Sequence, residues 1–143
     1  LINNYPSRAK YLVKKNDILF SNVRPNLKGY VLLNDNIKNC VATSGFSILR
    51  ENKINIKYIY FNLIKQTNID YITSFISSSG ASPSIKPIVL KKLKINIPKD
   101  KRLIKNLEPK FKLIEQYQID IKKSKMLFNK YIEELKTDAI KKM

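Results

Sequence analysis

The chain has 143 residues, 43% of them hydrophobic, which suits one domain plus an appendage. Its formal net charge is +17, from 28 basic and 11 acidic side chains, and a charge this large attracts polyanions. Codon bias in an AT-rich genome would explain the many lysines but not the shortage of acidic residues, so nucleic acid is the leading candidate partner. Histidine is absent, Cys40 is the single cysteine and no apolar run could span a membrane, which excludes histidine-dependent catalysis, thiolate metal sites, an internal disulfide and membrane insertion.

The sequence offers little material for catalysis. Its three glycines lie at spacings that match neither a phosphate-binding loop nor a dinucleotide fingerprint. The acidic residues are scattered, so a carboxylate nuclease site would have to assemble from distant residues such as Asp17, Asp35 and Asp70. We therefore expect no catalytic centre, no metal and no cofactor, and the lone cysteine fits a reducing cytoplasm.

Residues 11–50 predict a strongly bent, largely antiparallel sheet. Apolar runs rich in β-formers indicate strands at 17–23, 30–33, 39–43 and 46–50. Pro25 ends the first run and should hold Arg24 in extended geometry. Small and turn-forming residues separate the other runs.

Helical periodicity follows. Apolar residues at three- and four-residue spacing predict a helix over 56–64 and a second over 70–76. The apolar side of the second helix should consist of Tyr71, Ile72, Phe75 and Ile76. Residues 77–84 form a polar loop of small side chains. A closing strand that ends at Pro98 is indicated by Leu90, Leu93, Ile95 and Ile97.

The last third predicts a long helix. Asp100 is a candidate N-cap for a short helix through Leu107, and Pro109 fits the start of the next helix. Residues 110–141 contain no Gly or Pro and would form a rod of roughly 48 Å. A heptad-like seam, interrupted at Ser124, consists of Ile114, Tyr117, Ile121, Phe128, Tyr131 and Leu135. Because the rod outruns a domain of this size, we favour a projecting partner helix over one packed on its own domain.

Three loops, at 24–28, 43–45 and 79–86, concentrate groups that could contact DNA. Arginine pairs with guanine and asparagine with adenine, while small residues let backbone amides approach a phosphate. The candidate contacts are Arg24, Asn26, Lys28, Thr43, Ser44, Ser79, Gly80, Ser82, Ser84 and Lys86. An upstream basic cluster that includes Arg8 and Lys10 could add nonspecific phosphate contacts. From composition alone, a solvated turn explains the first loop equally well, and the alternatives for the second and third loops are an ordinary strand bend and a flexible linker.

The same segments resemble the specificity subunits of type I restriction–modification systems. The similar stretches are DILFSNVRPN at 17–26, TSGF at 43–46 with ILR at 48–50, YIYFNL at 58–63, GASPSI at 80–85 and LKINIP at 93–98, together with SRA at 7–9. Each motif is short, and their shared order over residues 7–98 carries the resemblance.

The resemblance implies a fold and a role. Such subunits carry two target-recognition domains, each reading half of a split DNA site, separated by long helices that pair and dock methyltransferase subunits. The modification subunits methylate adenine with S-adenosylmethionine, a separate subunit translocates and cuts DNA, and the specificity chain does no chemistry. We therefore expect an α+β recognition domain at 1–99 and a helical assembly region at 100–143. The expected partners are double-stranded DNA, the methyltransferase, the restriction subunit and a second recognition domain or a second copy.

Three departures from the family pattern leave the role of the chain open. The chain begins about halfway into a typical recognition domain, only one such domain is present, and Pro98 is not followed by the family's PP..EQ..I stretch. A recognition domain at the end of a single-chain adenine methyltransferase fits these departures as well. An oligomerising coiled-coil scaffold, whose basic charge would be incidental, is a candidate from another class. A single-stranded nucleic-acid binder is a third candidate, which would need exposed aromatic side chains.

Overall fold

A computed structural model describes residues 8–35, 39–77 and 82–141, with side chains of the last helix through residue 137. Two units can be distinguished, Leu1–Lys99 and Asp100–Met143, which we call the N-terminal and C-terminal units. The first combines antiparallel strands with short helices and the second is helical, so the predicted α+β class is confirmed. Among the described residues, no helix has both the length and the apolar character needed to cross a bilayer.

The strands of the N-terminal unit form two small antiparallel sheets. They are β1 (Ala9–Leu12), β2 (Ile18–Ser21), β3 (Tyr30–Leu32), β4 (Val41–Thr43) and β5 (Phe46–Leu49). β1 pairs with β4 across a register shift, and β2 lies between β3 and β5. The antiparallel pairing predicted for residues 11–50 is confirmed, although the pairing is divided between two sheets and β1 was not predicted.

β2 supplies the centre of the core. Ile18 and Phe20 are fully buried, while the alternate residues Leu19 and Ser21 are partly exposed, as expected for a strand with one face on the core. The cluster they belong to also contains Leu32, Ile56, Tyr60, Leu63, Ile69, Ile72, Ile85, Val89 and Leu90. Helices and loop segments thus cover one face of the three-stranded sheet.

Three short helices complete this unit: α1 (Ile56–Leu63), α2 (Gln66–Thr73) and α3 (Ile88–Lys92). α1 confirms the first predicted helix, and the side chain of Asn55 caps it by accepting a hydrogen bond from the Lys57 amide at 2.9 Å. α2 begins and ends earlier than predicted, because Ile69 and Ile72, three residues apart, are its buried positions. Of the predicted apolar side, Ile72 is buried and Ile76 packs against the core, whereas Tyr71 and Phe75 are exposed.

The predicted closing strand is also wrong. Leu90 lies in α3, and residues 93–98 pair with no strand among the described residues. The apolar positions 89, 90 and 93 have three- and four-residue spacing, so the same residues satisfy helical periodicity and bury Val89 and Leu90 in the core. The Tyr58 hydroxyl donates to the Asn96 carbonyl at 2.7 Å and ties the extended segment back to α1.

The C-terminal unit follows the prediction closely. Asp100 caps α4 (Lys101–Lys105), its carboxylate accepting from the Arg102 amide at 2.9 Å. α5 (Glu108–Lys141) has 34 residues and carries Pro109 at its start, where a missing amide proton costs nothing. Among the described side chains of this unit, Ile104 and Phe111 are the buried apolar ones, and all six seam residues of α5 are exposed.

Candidate nucleic-acid interface

The first predicted loop is a tight turn with unusual backbone angles. Pro25–Leu27 forms one 3-10 turn in which Pro25 is buried, whereas Asn26 and Leu27 are exposed. Arg24 and Lys28 flank the turn in the left-handed region, with φ of 47° and 58°. The extended geometry predicted for Arg24 is therefore wrong, because proline disfavours only the right-handed helical region for the residue before it. Non-glycine residues are uncommon in this conformation, and both side chains extend into solvent.

Gly29 fixes this turn against β2. The Ser21 amide donates to the Gly29 carbonyl at 2.7 Å. A Cβ atom at position 29 would lie 2.9 Å from the Ser21 Cβ, closer than side-chain atoms normally approach. The absence of a side chain at Gly29 thus lets the turn lie directly on the strand.

The second loop joins β4 to β5. The Thr43 hydroxyl accepts a hydrogen bond from the Gly45 amide at 3.3 Å, and the side chains of Thr43 and Ser44 are exposed. The Gly45 carbonyl accepts from the amide of Asn22 at 2.8 Å. The backbone immediately before the first loop therefore contacts the second loop directly.

The third loop lies beside the same backbone. Ser77 and Ser84 form a two-way backbone bridge at its base, with a Ser77 amide to Ser84 carbonyl distance of 3.0 Å. The Pro83 carbonyl accepts from the Arg24 amide at 2.8 Å, and the Ile85 amide donates to Asn22. The second and third loops are therefore hydrogen-bonded to residues 22–24, where the first loop begins.

Most of the candidate DNA contacts are placed on the surface. Arg24, Asn26, Lys28, Thr43, Ser44, Ser82 and Lys86 are exposed and Ser84 is partly buried, whereas Ser79 and Gly80 lie outside the described residues. Arg8 and Lys10 are exposed as well. Because Ala9 pairs with Thr43 across the first sheet, this upstream basic cluster lies next to the second loop.

Two residues of the resembling motifs turn out to support the fold. Asp17 is fully buried and accepts two hydrogen bonds from Arg50, at 2.6 and 2.7 Å, and one from the Lys14 amide at 2.8 Å. Burial alone would raise the pKa of Asp17, but these hydrogen bonds and the charge of Arg50 outweigh it and hold the pKa below its usual value. The pair joins the start of β2 to the end of β5.

Acidic side chains form no metal site in the described part of the chain. No group of three potential ligands is present there, and Asp17, Asp35 and Asp70 do not form one. Asp70 lies on α2, which packs against the Pro25–Leu27 turn, and accepts a hydrogen bond from Gln66 at 2.7 Å.

Sequence reasoning missed two residues of this region, one exposed and one buried. Leu27 is 67% exposed at the tip of the first loop, between Asn26 and Lys28, where an apolar group could contact a thymine methyl. Asn22 is buried and bonded to two of the loops. The available signal for Asn22 was a polar residue directly after the core strand β2. This signal does not reveal its hydrogen-bond partners, because they are distant in sequence.

Comparison with known proteins connects this geometry to a protein class. No protein-family model matches the chain. Over 100 residues, 68% of its length, the chain is 28% identical to the type I restriction enzyme HindI specificity subunit of Haemophilus influenzae. The match covers 22% of that protein, so the chain spans well under half of its curated relative.

A solved structure supports the same relation at the level of the fold. The crystal structure of the HsdS subunit from Thermoanaerobacter tengcongensis aligns with 87% of this chain and 34% of its own, with a TM-score of 0.54 and 20% identity. The resemblance that the short motifs indicated is thus confirmed by a relative in sequence and a neighbour in fold. The chain resembles, in both respects, a section of a type I restriction enzyme specificity subunit.

Proposed function

We propose that this chain reads a specific sequence in double-stranded DNA as part of a type I restriction–modification specificity subunit. In this role it directs a methyltransferase subunit, and with it a restriction subunit, to the target site. The N-terminal unit, residues 1–99, is the recognition domain, and the C-terminal unit, residues 100–143, is the assembly region. The similarity to the HindI specificity subunit supports this assignment.

One observation carries the DNA-reading proposal: the second and third loops, far apart in sequence, are both hydrogen-bonded to the segment 22–24, at which the first loop begins. The three loops expose Arg24, Lys28 and Lys86 together with Asn26. Cations draw in the phosphate backbone, and arginine and asparagine have the donor geometry that reads base edges in the major groove. The left-handed backbone at Arg24 and Lys28 adds weight, because strained non-glycine residues concentrate at binding sites.

The assembly role rests on the surface of α5. Its seam residues Ile114, Tyr117, Ile121, Phe128, Tyr131 and Leu135 are between 40% and 65% exposed. Where Ser124 interrupts the seam, the side chains of Tyr117, Ile121 and Phe128 border a shallow, open part of the helix surface. Apolar stripes of this kind are buried in helix pairs, and a second recognition domain, a second copy of the chain or the methyltransferase could supply the pairing surface.

We assign the chemistry to the partner subunits. The sequence contains no histidine and one cysteine, and the first hundred residues contain no close pair of acidic residues. Adenine methylation then requires S-adenosylmethionine in the methyltransferase, while this chain contributes the choice of site.

The base-reading claim can be tested at Arg24. Arg24→Ala should weaken binding to the target duplex by about 1–3 kcal/mol and relax the preference at one base pair, if Arg24 pairs with a guanine. Lys86→Ala should weaken binding to all sequences alike and reduce the salt dependence. The target itself follows from co-purifying the full-length chain with its neighbouring gene product and mapping methylation in the host genome.

Arg24→Lys provides the matched control for charge. Lysine keeps the positive charge but lacks the planar fork that pairs with guanine, so the salt dependence should persist while the base preference is lost. Equal and small effects of all three variants on every duplex would remove the base-reading claim. Binding that stays flat between low and moderate salt would favour the scaffold instead, because phosphate contacts impose a steep salt slope.

A further inference from the structure

Asn22 is a buried polar residue at the meeting point of the three loops. Its side chain is 6% exposed, and together with Asp17 it makes up the buried polar or charged residues of the described chain. Asp17 is accounted for by its ion pair with Arg50. Among the described residues, Asn22 pairs with no charged group, and its hydrogen bonds run to backbone groups and to a serine hydroxyl.

The hydrogen bonds of Asn22 run to two loops and to one strand. Its amide donates to the Gly45 carbonyl at 2.8 Å, and its carbonyl accepts from the Ile85 amide at 2.9 Å. Its side-chain oxygen Oδ1 accepts from the hydroxyl of Ser47 on β5 at 2.7 Å. Asn22 therefore joins the second and third loops and stands two residues before Arg24, where the first loop begins.

Val23 and Arg24, which follow Asn22, also contact the third loop. Val23 forms an isolated backbone bridge with Ser84, and the Arg24 amide reaches Pro83. These bonds hold residues 83–85 of the third loop beside the start of the first loop. The Ser47–Asn22 bond is the side-chain link of the junction to β5, and it restrains the backbone from which the other bonds extend.

We infer that Asn22 is a positioning residue for sequence discrimination, acting through the three loops rather than by contact with DNA. The inference rests on the proposed function. Base reading depends on donor and acceptor atoms being held to within a fraction of an ångström, whereas attraction to phosphates is long-ranged and tolerant of small displacements. Loosening the junction should therefore lower the preference for the target and leave nonspecific binding in place.

The test uses the full chain with any partner that co-purifies with it. The wild-type protein first selects a target duplex from a random-sequence library, and a scrambled duplex of the same length and composition serves as the nonspecific probe. Asn22→Ala should lower the ratio of target to scrambled affinity several-fold, up to about tenfold, which is the change expected if the net free energy of one hydrogen bond is lost from the sequence-specific complex alone. Affinity for the scrambled duplex and its salt slope should stay as in the wild type.

Ser47→Ala keeps Asn22 in place and removes the partner of its side chain. It should lower the same ratio in the same direction, and the double variant should lower it by less than the two single effects combined, because both remove one bond. This variant decides the question if Asn22→Ala does not fold. Asn62→Ala is the matched control, because Asn62 also makes side-chain hydrogen bonds, to Tyr58 and Lys65, but within the α1 region.

The inference is overturned if folded Asn22→Ala and Ser47→Ala keep the wild-type affinity ratio. It is also overturned if Asn62→Ala lowers the ratio as much, because the effect would then follow general destabilisation. A wild-type protein that selects no duplex sequence would instead contradict the proposed function itself. The affinity ratios of wild type, Ser47→Ala and Asn62→Ala thus separate the two failures.

Discussion

The core of the N-terminal unit and the seam of α5 differ in how far their large apolar side chains are exposed to solvent. In the N-terminal unit Phe20, Ile18 and Leu63 are at most 1% exposed, whereas Phe128 and Leu135 on α5 are 64% and 65% exposed. The first unit buries its own core, so its stability can come from contacts within the chain. Helices gain most of their stability from packing an apolar face, and α5 leaves such a face uncovered within its own unit. The difference teaches that one sequence combines a unit that buries its own apolar core with a helix whose apolar seam stays exposed within its own unit.

The largest expected effect tests this difference in burial by removing one aromatic side chain from each unit. Phe20→Ala should lower the free energy of unfolding of the N-terminal unit by about 3–5 kcal/mol, because it leaves a cavity in the core. Phe128→Ala should change the free energy of unfolding of the monomer by less than about 0.5 kcal/mol, since the ring is already largely in water. Urea unfolding at low protein concentration measures both. Equal losses would mean that α5 is packed as a core element.

A smaller effect is expected at the ion pair of Asp17 and Arg50. Arg50→Ala leaves the buried carboxylate without its partner and should cost about 1–3 kcal/mol, a value held down because half of the Arg50 side chain is already in water. Since folding lowers the pKa of Asp17, its contribution is fully present above the unfolded pKa of about 4 and is lost as the pH falls through the lower folded value.

Asp17→Asn tests the sign of this pH dependence. The amide keeps the shape but cannot ionise, so the variant should lack the part of the acid-induced loss of stability that comes from this group. Unfolding measured from pH 7 downward in wild type and variant gives the comparison. Parallel curves below pH 4 would show that Asp17 does not cause the loss.

Glycine positions test how tightly the first loop is seated. Gly29→Ala should cost about 1–3 kcal/mol, because the new Cβ meets the Ser21 Cβ at 2.9 Å and the backbone must shift. Gly45→Ala is the matched control, since its Cβ would meet the Thr43 hydroxyl at an ordinary 3.4 Å and should change stability by about 0.5 kcal/mol or less. Chemical denaturation of both variants provides the measurement. A harmless Gly29→Ala would mean that the turn is not held against β2.

The sequence predicted what depends on local periodicity. The strands around Ile18 and Phe20, helix α1 and the seam of α5 follow from spacing and capping residues alone. The segment near Leu90 was misassigned because its apolar residues satisfy two periods, and tertiary packing chose the helix. The role of Asn22 in joining the loops was missed because it depends on long-range hydrogen bonds. Its partners Gly45 and Ile85 lie far along the chain, and no local pattern records such bonds.

The candidate site shows the same division. Exposure of Arg24, Lys28 and Lys86 could be anticipated from turn chemistry and charge, and the structure agrees. The left-handed backbone at Arg24 and the convergence of the three loops could not, because both depend on contacts between distant segments. Two motif residues, Asp17 and Arg50, look like surface charges in the sequence yet form a structural pair.

The smallest effect on stability is expected at an ion pair on the polar side of α5, and it tests whether that side is exposed to solvent like the apolar seam. Lys136 pairs with Glu133 at 2.6 Å, but both side chains are more than 60% exposed. Lys136→Ala should therefore change the stability of the helix, followed by circular dichroism on heating, by about 0.5 kcal/mol or less, and the difference should shrink in high salt. A loss several times larger that persists in salt would show that a partner covers the pair, because only desolvated ion pairs resist screening. The covered side of α5 would then extend beyond the apolar seam.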